Sequence, residues 1–327
     1  MKKAIVTGGA GFIGSHISEL LVKKGYHVTV IDNFATGRLE NLTQIPKKKI
    51  EIVKADVADF KKIEKKFKNV KYVFHLAALA DIVPSIEEPE KYFKSNVNGT
   101  LNVLRASKKY KVRKLVYAAS ASCYGMVKNF PTSEKEKIMT EYPYALTKNL
   151  GEKLLVHWSK VYNLSTISLR LFNVYGLRSR TTGAYGAMFG VFLAQKINNK
   201  PLTIVGNGNQ TRDFTYVTDV ANAFYTAAKS KLYHDIFNVG TGKPTSVNYI
   251  AKKLGGPTIR IPKRPGEPDK SEANINKINR YLGWKPRVKI DDGIKIMLAN
   301  ISDWSKAPVW TPKKIKIKTK KWFKYLK

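Results

Sequence analysis

The chain has 327 residues, 43% apolar and 11% aromatic, with 59 Lys plus Arg against 24 Asp plus Glu for a formal charge of +35. This composition can fill a sizeable core and excludes a disordered chain; the single cysteine, Cys123, excludes an internal disulfide and most cysteine-based metal sites. The basic excess suits a nucleic-acid or membrane-surface partner, but the lysines are spread along the whole length with no zinc-finger, RNP or basic-zipper pattern.

The charge is therefore read as solvated surface whose field draws in small anions, with neither a nucleic-acid partner nor a metal expected. No apolar stretch reaches the length of a membrane span or a signal-peptide core, so a cytoplasmic protein is expected.

Along the first half, short Val- and Ile-rich runs alternate with segments of three-to-four-residue apolar spacing. The runs Ala4–Thr7, Val28–Asp32, Ile50–Lys54, Tyr72–Leu76, Lys114–Ala118 and Ser165–Arg170 are continuously apolar, as strands buried on both faces are. Ile13–Lys24 and Val97–Lys109 have helical spacing. Such alternation predicts an α/β fold with a Rossmann-type doubly wound parallel sheet. After about Gly176 the pattern loosens. The pieces Pro201–Gly206, Gly255–Pro268 and Asp291–Ile301 read as parts of a smaller C-terminal substrate-binding domain, and Phe214–Lys229 as a return to the first. The predicted division is interleaved: residues 1–172 plus about 213–240, and about 173–212 plus 241–327. The lysine-dense tail from Lys313 carries Ile315, Ile317, Trp322, Phe323, Tyr325 and Leu326, and is read as docking its aromatics on the body.

The first strand runs into Thr7-Gly8-Gly9-Ala10-Gly11-Phe12-Ile13-Gly14, which opens a helix. Glycines at 8, 11 and 14 let backbone approach a pyrophosphate, and the helix N-terminus supplies free N–H groups and positive dipole charge. Asp32 ends the second strand, placed to accept adenosine ribose hydroxyls, with Asn33 beside it. A carboxylate there repels a 2′-phosphate, so NAD is expected rather than NADP.

The second strong signal is Tyr144-Ala145-Leu146-Thr147-Lys148. Residues four apart share a helix face, so a phenol and an ammonium face one cleft. A phenol, with its reference pKa near 10, becomes a useful base when a lysine and a positive nicotinamide favour its anion. Ser120 follows a strand in Ala119-Ser120-Ala121-Ser122-Cys123-Tyr124-Gly125, and Cys123 is read as packing.

With its Gly-x-x-Gly-x-x-Gly spacing and Tyr-x-x-x-Lys, the chain resembles the extended short-chain dehydrogenase/reductase family in its nucleotide-sugar branch, from Met1 to about Pro286. The resemblance implies an enzyme with Tyr144, Lys148 and Ser120 catalytic. It places Phe12, Ile13, Asp56-Val57, Leu76-Ala77-Ala78 after His75, and Asn96 around the cofactor. It implies substrate contacts from Ser120, Ser122 (or a turn role for it), Asn173, Ala187 in the stretch 183–189, Arg212, Arg264, Glu267 and Ser271, the last beside the sugar C2 substituent. Arg178 and Arg180 are candidates for a C6 carboxylate or are loop charges.

Dehydratases of this branch carry Thr-Asp-Glu where this chain has Ser120-Ala121-Ser122, and decarboxylases carry a Glu near Ser122. The expected reaction is therefore NAD-dependent C4 epimerisation of a UDP-hexose or UDP-N-acetylhexosamine through a 4-keto intermediate. The alternatives are UDP-glucuronate 4-epimerisation or another 4-keto-forming reaction (decarboxylase, dehydratase or reductase), and, in a different class, an NAD-sensing or nucleic-acid-binding protein. Similar proteins also imply a homodimer built on helices around Asn98–Lys109 and Tyr144–Tyr162.

Overall fold

The computed structural model describes residues 2–179 and 187–326. Its centre is a seven-stranded sheet of β1 (Lys2–Thr7), β2 (Tyr26–Asp32), β3 (Ile50–Lys54), β4 (Tyr72–His75), β5 (Lys114–Ser120), β6 (Thr166–Leu171) and an edge strand His234–Val239. From that edge inward the order is His234–Val239, β6, β5, β4, β1, β2, β3, with every pairing parallel. The expected fold class is what forms. The edge strand was not read from the sequence, because His234, Asp235 and Asn238 interrupt its apolar run.

Alternate residues face opposite ways along each strand. Ala4, Val6, Val28, Val30, Phe74, Val116 and Leu169 meet α1 (Phe12–Lys23) and the helix Val217–Lys229 on one side. Ile5, Ile31, Val73, Leu115 and Tyr117 meet the helices Gly99–Lys109 and Pro143–Tyr162 on the other. Of the segment expected to return to the sheet, Phe214–Lys229, the short strand Phe214–Tyr216 pairs with Asn173–Tyr175 in a separate two-stranded sheet and packs in a third core, while the amphipathic helix that follows lies on the main sheet.

A third core collects Phe192, Leu193, Leu202, Ile204, Ile250, Leu254, Met297 and Trp304. It joins the helices Met188–Ile197, Val247–Leu254 and Ile290–Ala299 to the parallel pair Leu202–Val205 and Thr258–Ile261. Two short helices, Pro312–Lys318 and Lys320–Tyr325, end the described chain. Of the tail's aromatics only Trp322 is buried; Phe323 and Tyr325 stay exposed, as does Ile317. Packing every third or fourth residue leaves the rest of so short a helix in water. Among the described residues no helix is long and apolar enough to cross a membrane.

Strand order reverses between β1 and β4, which opens a crevice at the carboxyl ends of the strands. In register, Thr7 sits beside Ile31 and His75, so Gly8, Asp32 and Leu76 emerge side by side, with Ser120 ending β5 nearby.

Candidate active site

A cavity of about 720 Å³ fills this crevice and continues along the third core. Its floor at one end is the glycine turn. Gly8 has φ +68, and a Cβ there would lie 2.8 Å from the Ala77 nitrogen; a Cβ on Gly14 would lie 2.1 Å from the Gly8 carbonyl oxygen. Bare backbone at the N-terminus of α1 is what a pyrophosphate requires, and Gly8, Gly11, Phe12, Ile13 and Gly14 all line the cavity. Asp32 is buried beyond them, its oxygens accepting from the Ala10 nitrogen at 3.0 Å and the Phe34 nitrogen at 2.8 Å. Burial raises its pKa, and those two N–H donors oppose the rise. Asn33 donates to Asp56 at 3.0 Å, so these two side chains wall the adenosine end together with Val57. Leu76, Ala77 and Ala78 line the opposite wall. These residues fit a dinucleotide.

Asn96 does not reach the cavity. Its amide oxygen accepts from the Leu79 nitrogen at 2.8 Å, and its nitrogen donates to the Leu79 carbonyl and to Thr147 Oγ1. Its side chain thus braces the loop after β4 against the Tyr144 helix, with both amide hydrogens engaged. His75 is likewise fully buried between Thr7 (2.7 Å) and Thr100 (2.9 Å), and burial takes its pKa down to about 3.

Tyr144 and Lys148 lie in the first two turns of Pro143–Tyr162, whose proline occupies a first-turn position where no N–H is needed. Ser120 faces Tyr144 closely enough to favour its anion, and its Oγ lies 2.8 Å from Ser122 Oγ. All four side chains line the cavity. Lys148 is buried, its ammonium 4.2 Å from the Tyr117 ring centroid. The electrostatics differ from the sequence expectation. Burial pushes the Tyr144 pKa up, the Ser120 hydrogen bond opposes it, and Lys148 adds no resolved relief. Burial takes Lys148 itself down to about 7, with Glu152 opposing. Desolvation dominates both groups, and the positive charge of a bound nicotinamide would favour the phenolate.

Beneath Lys148, Glu152 pairs with Arg170, both side chains buried, with two contacts of 3.1 Å from Arg170 Nε. Arg170 also donates to Tyr124 Oη at 2.9 Å, which donates to Asn238 on the edge strand. Burial pushes the Cys123 thiol up to about 12, in keeping with packing rather than chemistry.

At the far end, Glu267 accepts from Arg212 at 3.2 Å and faces Arg264 at 3.6 Å. The structure thus brings together Arg212, Arg264 and Glu267 from two distant segments, with Asn173, Ala187, Ser271 and Trp322 also in the wall. Arg178 lines the cavity too, but its guanidinium is paired with Glu19 of α1. Arg180 and residues 183–186 lie outside the described residues. Sequence reasoning missed Tyr142, which stacks on Tyr144 with ring centroids 6.5 Å apart and lines the cavity beside Ser122. It also missed Asp213, fully buried, which accepts from the Thr241, Gly242 and Ala273 nitrogens and so fixes the segment carrying Arg212. A Tyr before Pro and an Asp beside an Arg carry no local signal of either role.

The chain matches the NAD dependent epimerase/dehydratase family over residues 4–240. It is 34% identical over 303 residues to UDP-glucose 4-epimerase of Mycolicibacterium smegmatis, covering 89% of this chain and 96% of that one. UDP-N-acetylglucosamine 4-epimerase of Methanobrevibacter ruminantium, solved with UDP-N-acetylmuramic acid, superposes with a TM-score of 0.86 at 32% identity, over 91% of this chain and 99% of that one. Thermus thermophilus UDP-glucose 4-epimerase, solved with NAD, gives 0.83 at 34% identity over 92% and 99%. The glycine cradle, Asp32 and the Tyr144–Lys148 pair agree with this match, and the chain belongs to the NAD-dependent epimerase/dehydratase family, with NAD as its cofactor.

Proposed function

We propose that the protein is a UDP-sugar 4-epimerase acting on a UDP-hexose or UDP-N-acetylhexosamine. The observation that carries this reading is that Ser120, Tyr144 and Lys148 line one cavity that runs from the glycine cradle to the Arg212–Glu267–Arg264 cluster. Bound NAD supplies a hydride acceptor and donor for C4 of the sugar. Tyr144 Oη takes the C4 hydroxyl proton and returns it, while Ser120 holds that hydroxyl in line. Lys148, on the same helix face, provides the positive charge that favours the phenolate.

Arg212 and Arg264 hold the diphosphate, Arg by its planar fork, and Glu267 takes the nucleotide ribose. Held by its nucleotide end, the 4-keto sugar is free to turn and present its other face. Ala121 has no acid–base group and Ser122 is engaged with Ser120, so elimination or decarboxylation lacks its acid and base there. Asn173, Ala187 and Ser271 complete the sugar and base walls. Arg178 lines the cavity with one guanidinium nitrogen on Glu19, and the sugar offered in the test below decides between hexose and uronate. Residues 1–172 with about 213–240 serve as the NAD domain and the remainder as the nucleotide-sugar domain. Leu146, Val156 and Val161, exposed on the helix Pro143–Tyr162, suit a homodimer face.

The test is proton NMR of the purified protein with individual UDP-sugars and no added cofactor. Appearance of the C4 epimer is expected. A 4-keto or decarboxylated product would replace this reading with a dehydratase or a decarboxylase.

A further inference from the structure

We propose that Trp322, carried by the lysine-rich C-terminal segment, is a positioning residue that sets Arg264 for the diphosphate of a bound nucleotide. The inference rests on the nucleotide-sugar reading above. The tail is firmly seated: Ile315 enters the third core, Thr319 is buried against the Ile315 carbonyl, and Lys318 pairs with Glu87 at 2.8 Å. That pairing joins the tail to the helix Ile82–Glu87, which follows the cofactor wall and itself contributes Ile82 and Val83 to the cavity.

Trp322 is only 3% exposed, and its indole nitrogen donates to the Pro265 carbonyl at 2.8 Å. The Arg264 guanidinium lies over its ring, 5.4 Å from the centroid, while Glu267 lies 3.6 Å from Arg264 Nε. Ring and carboxylate together hold a long, flexible side chain in one plane before any ligand arrives. The indole bond to Pro265 ties the same ring to the loop that bears Arg264. A diphosphate displacing Glu267 then meets a guanidinium already ordered, and less side-chain entropy is lost on binding. The family match ends at residue 240, so this wall of the site is supplied by a part of the chain beyond it.

The experiment uses the full chain with its NAD. UDP is titrated calorimetrically into wild type, Trp322→Ala and Trp322→Phe, and kcat and KM are measured with the best UDP-sugar. Trp322→Ala is expected to weaken UDP and raise KM by about tenfold, from the lost cation–π contact, with kcat changed less than twofold and bound NAD unaltered. Trp322→Phe keeps a ring face and is expected to recover most of the loss. In an Arg264→Ala background, Trp322→Ala is expected to add nothing. Should Trp322→Ala not fold, Trp322→Leu, which fills the contact without a ring face, replaces it with the same expectation. Unchanged UDP affinity in these variants, a loss in kcat instead of KM, or an equal further loss in the Arg264→Ala background would overturn the role of Trp322. Failure of wild type to bind UDP would instead overturn the nucleotide reading beneath it.

Discussion

Lys148 and Tyr117 hold each other from both ends: the ammonium lies over the Tyr117 ring at 4.2 Å, and the Tyr117 hydroxyl donates to the Lys148 carbonyl at 3.3 Å. The contact locks the helix Pro143–Tyr162 onto β5 and leaves the ammonium buried, with its pKa at about 7. Because the unfolded lysine titrates near 10.4, the unfolded chain binds more protons than the folded one between about pH 7 and 10.4. Stability from this group therefore rises with pH across that window and is flat below it. Lys148→Met should raise the melting temperature at pH 7 by several degrees and by much less at pH 10. Thermal melts at the two pH values check this, and an equal gap at both would contradict the lowered pKa.

Tyr144→Phe removes the proton acceptor and leaves the cavity otherwise intact. Turnover should fall by at least about a hundredfold, the scale of general acid–base catalysis, while NAD released on denaturation stays at the wild-type amount. Undiminished turnover would remove Tyr144 from the mechanism.

Asp32→Ala should weaken NAD by about tenfold or more, the worth of a charge-assisted hydrogen bond, and narrow the preference for NAD over NADP. The carboxylate also accepts from Ala10 and Phe34, so a small loss of thermal stability should accompany it. Binding of both cofactors to the stripped protein provides the check; an unaltered preference would refute the role.

The Glu152–Arg170 pair predicts a stability effect without any ligand. Glu152→Gln leaves a buried guanidinium without its counter-charge and should cost about 3–5 kcal/mol, read by urea unfolding at pH 7. A cost below about 1 kcal/mol would mean that Tyr124 and the Glu134 carbonyl, which Arg170 also reaches, suffice alone.

The sheet and the cofactor end were legible because their signals are local. A glycine triplet, an acid at the next strand end and a Tyr-x-x-x-Lys spacing each lie within a short stretch, and β1 to β6 announce themselves as Val-, Ile- and Leu-rich runs between helical segments. The substrate end is assembled from Arg212, Arg264 and Glu267, brought together by tertiary packing; the sequence flagged each by resemblance but could not show the shared carboxylate. The bracing by Asn96 was hidden for the same reason: its partners, Leu79 and Thr147, are 17 and 51 positions away. The edge strand was hidden by its polar residues, of which Asn238 is buried only because Tyr124 and the Thr132 carbonyl satisfy it. Trp322 looked like any aromatic in a lysine-rich tail, and only the loop it meets distinguishes it from the exposed Phe323.

The placement of His234–Val239 beside β6 also bears on how the chain is made. Synthesis delivers β1 to β6 first, then a stretch that feeds both the third core and the helix Val217–Lys229, and only afterwards the strand that covers the outer edge of β6. Until then a row of unpaired N–H and C=O groups faces water on a nascent sheet, open to pairing with another chain. Arg170 on that strand already has Glu152 and Tyr124, both earlier in the chain, as partners before Asn238 arrives opposite it in register. Elongation between residues 172 and 234 is thus the interval in which this edge of the sheet lies open.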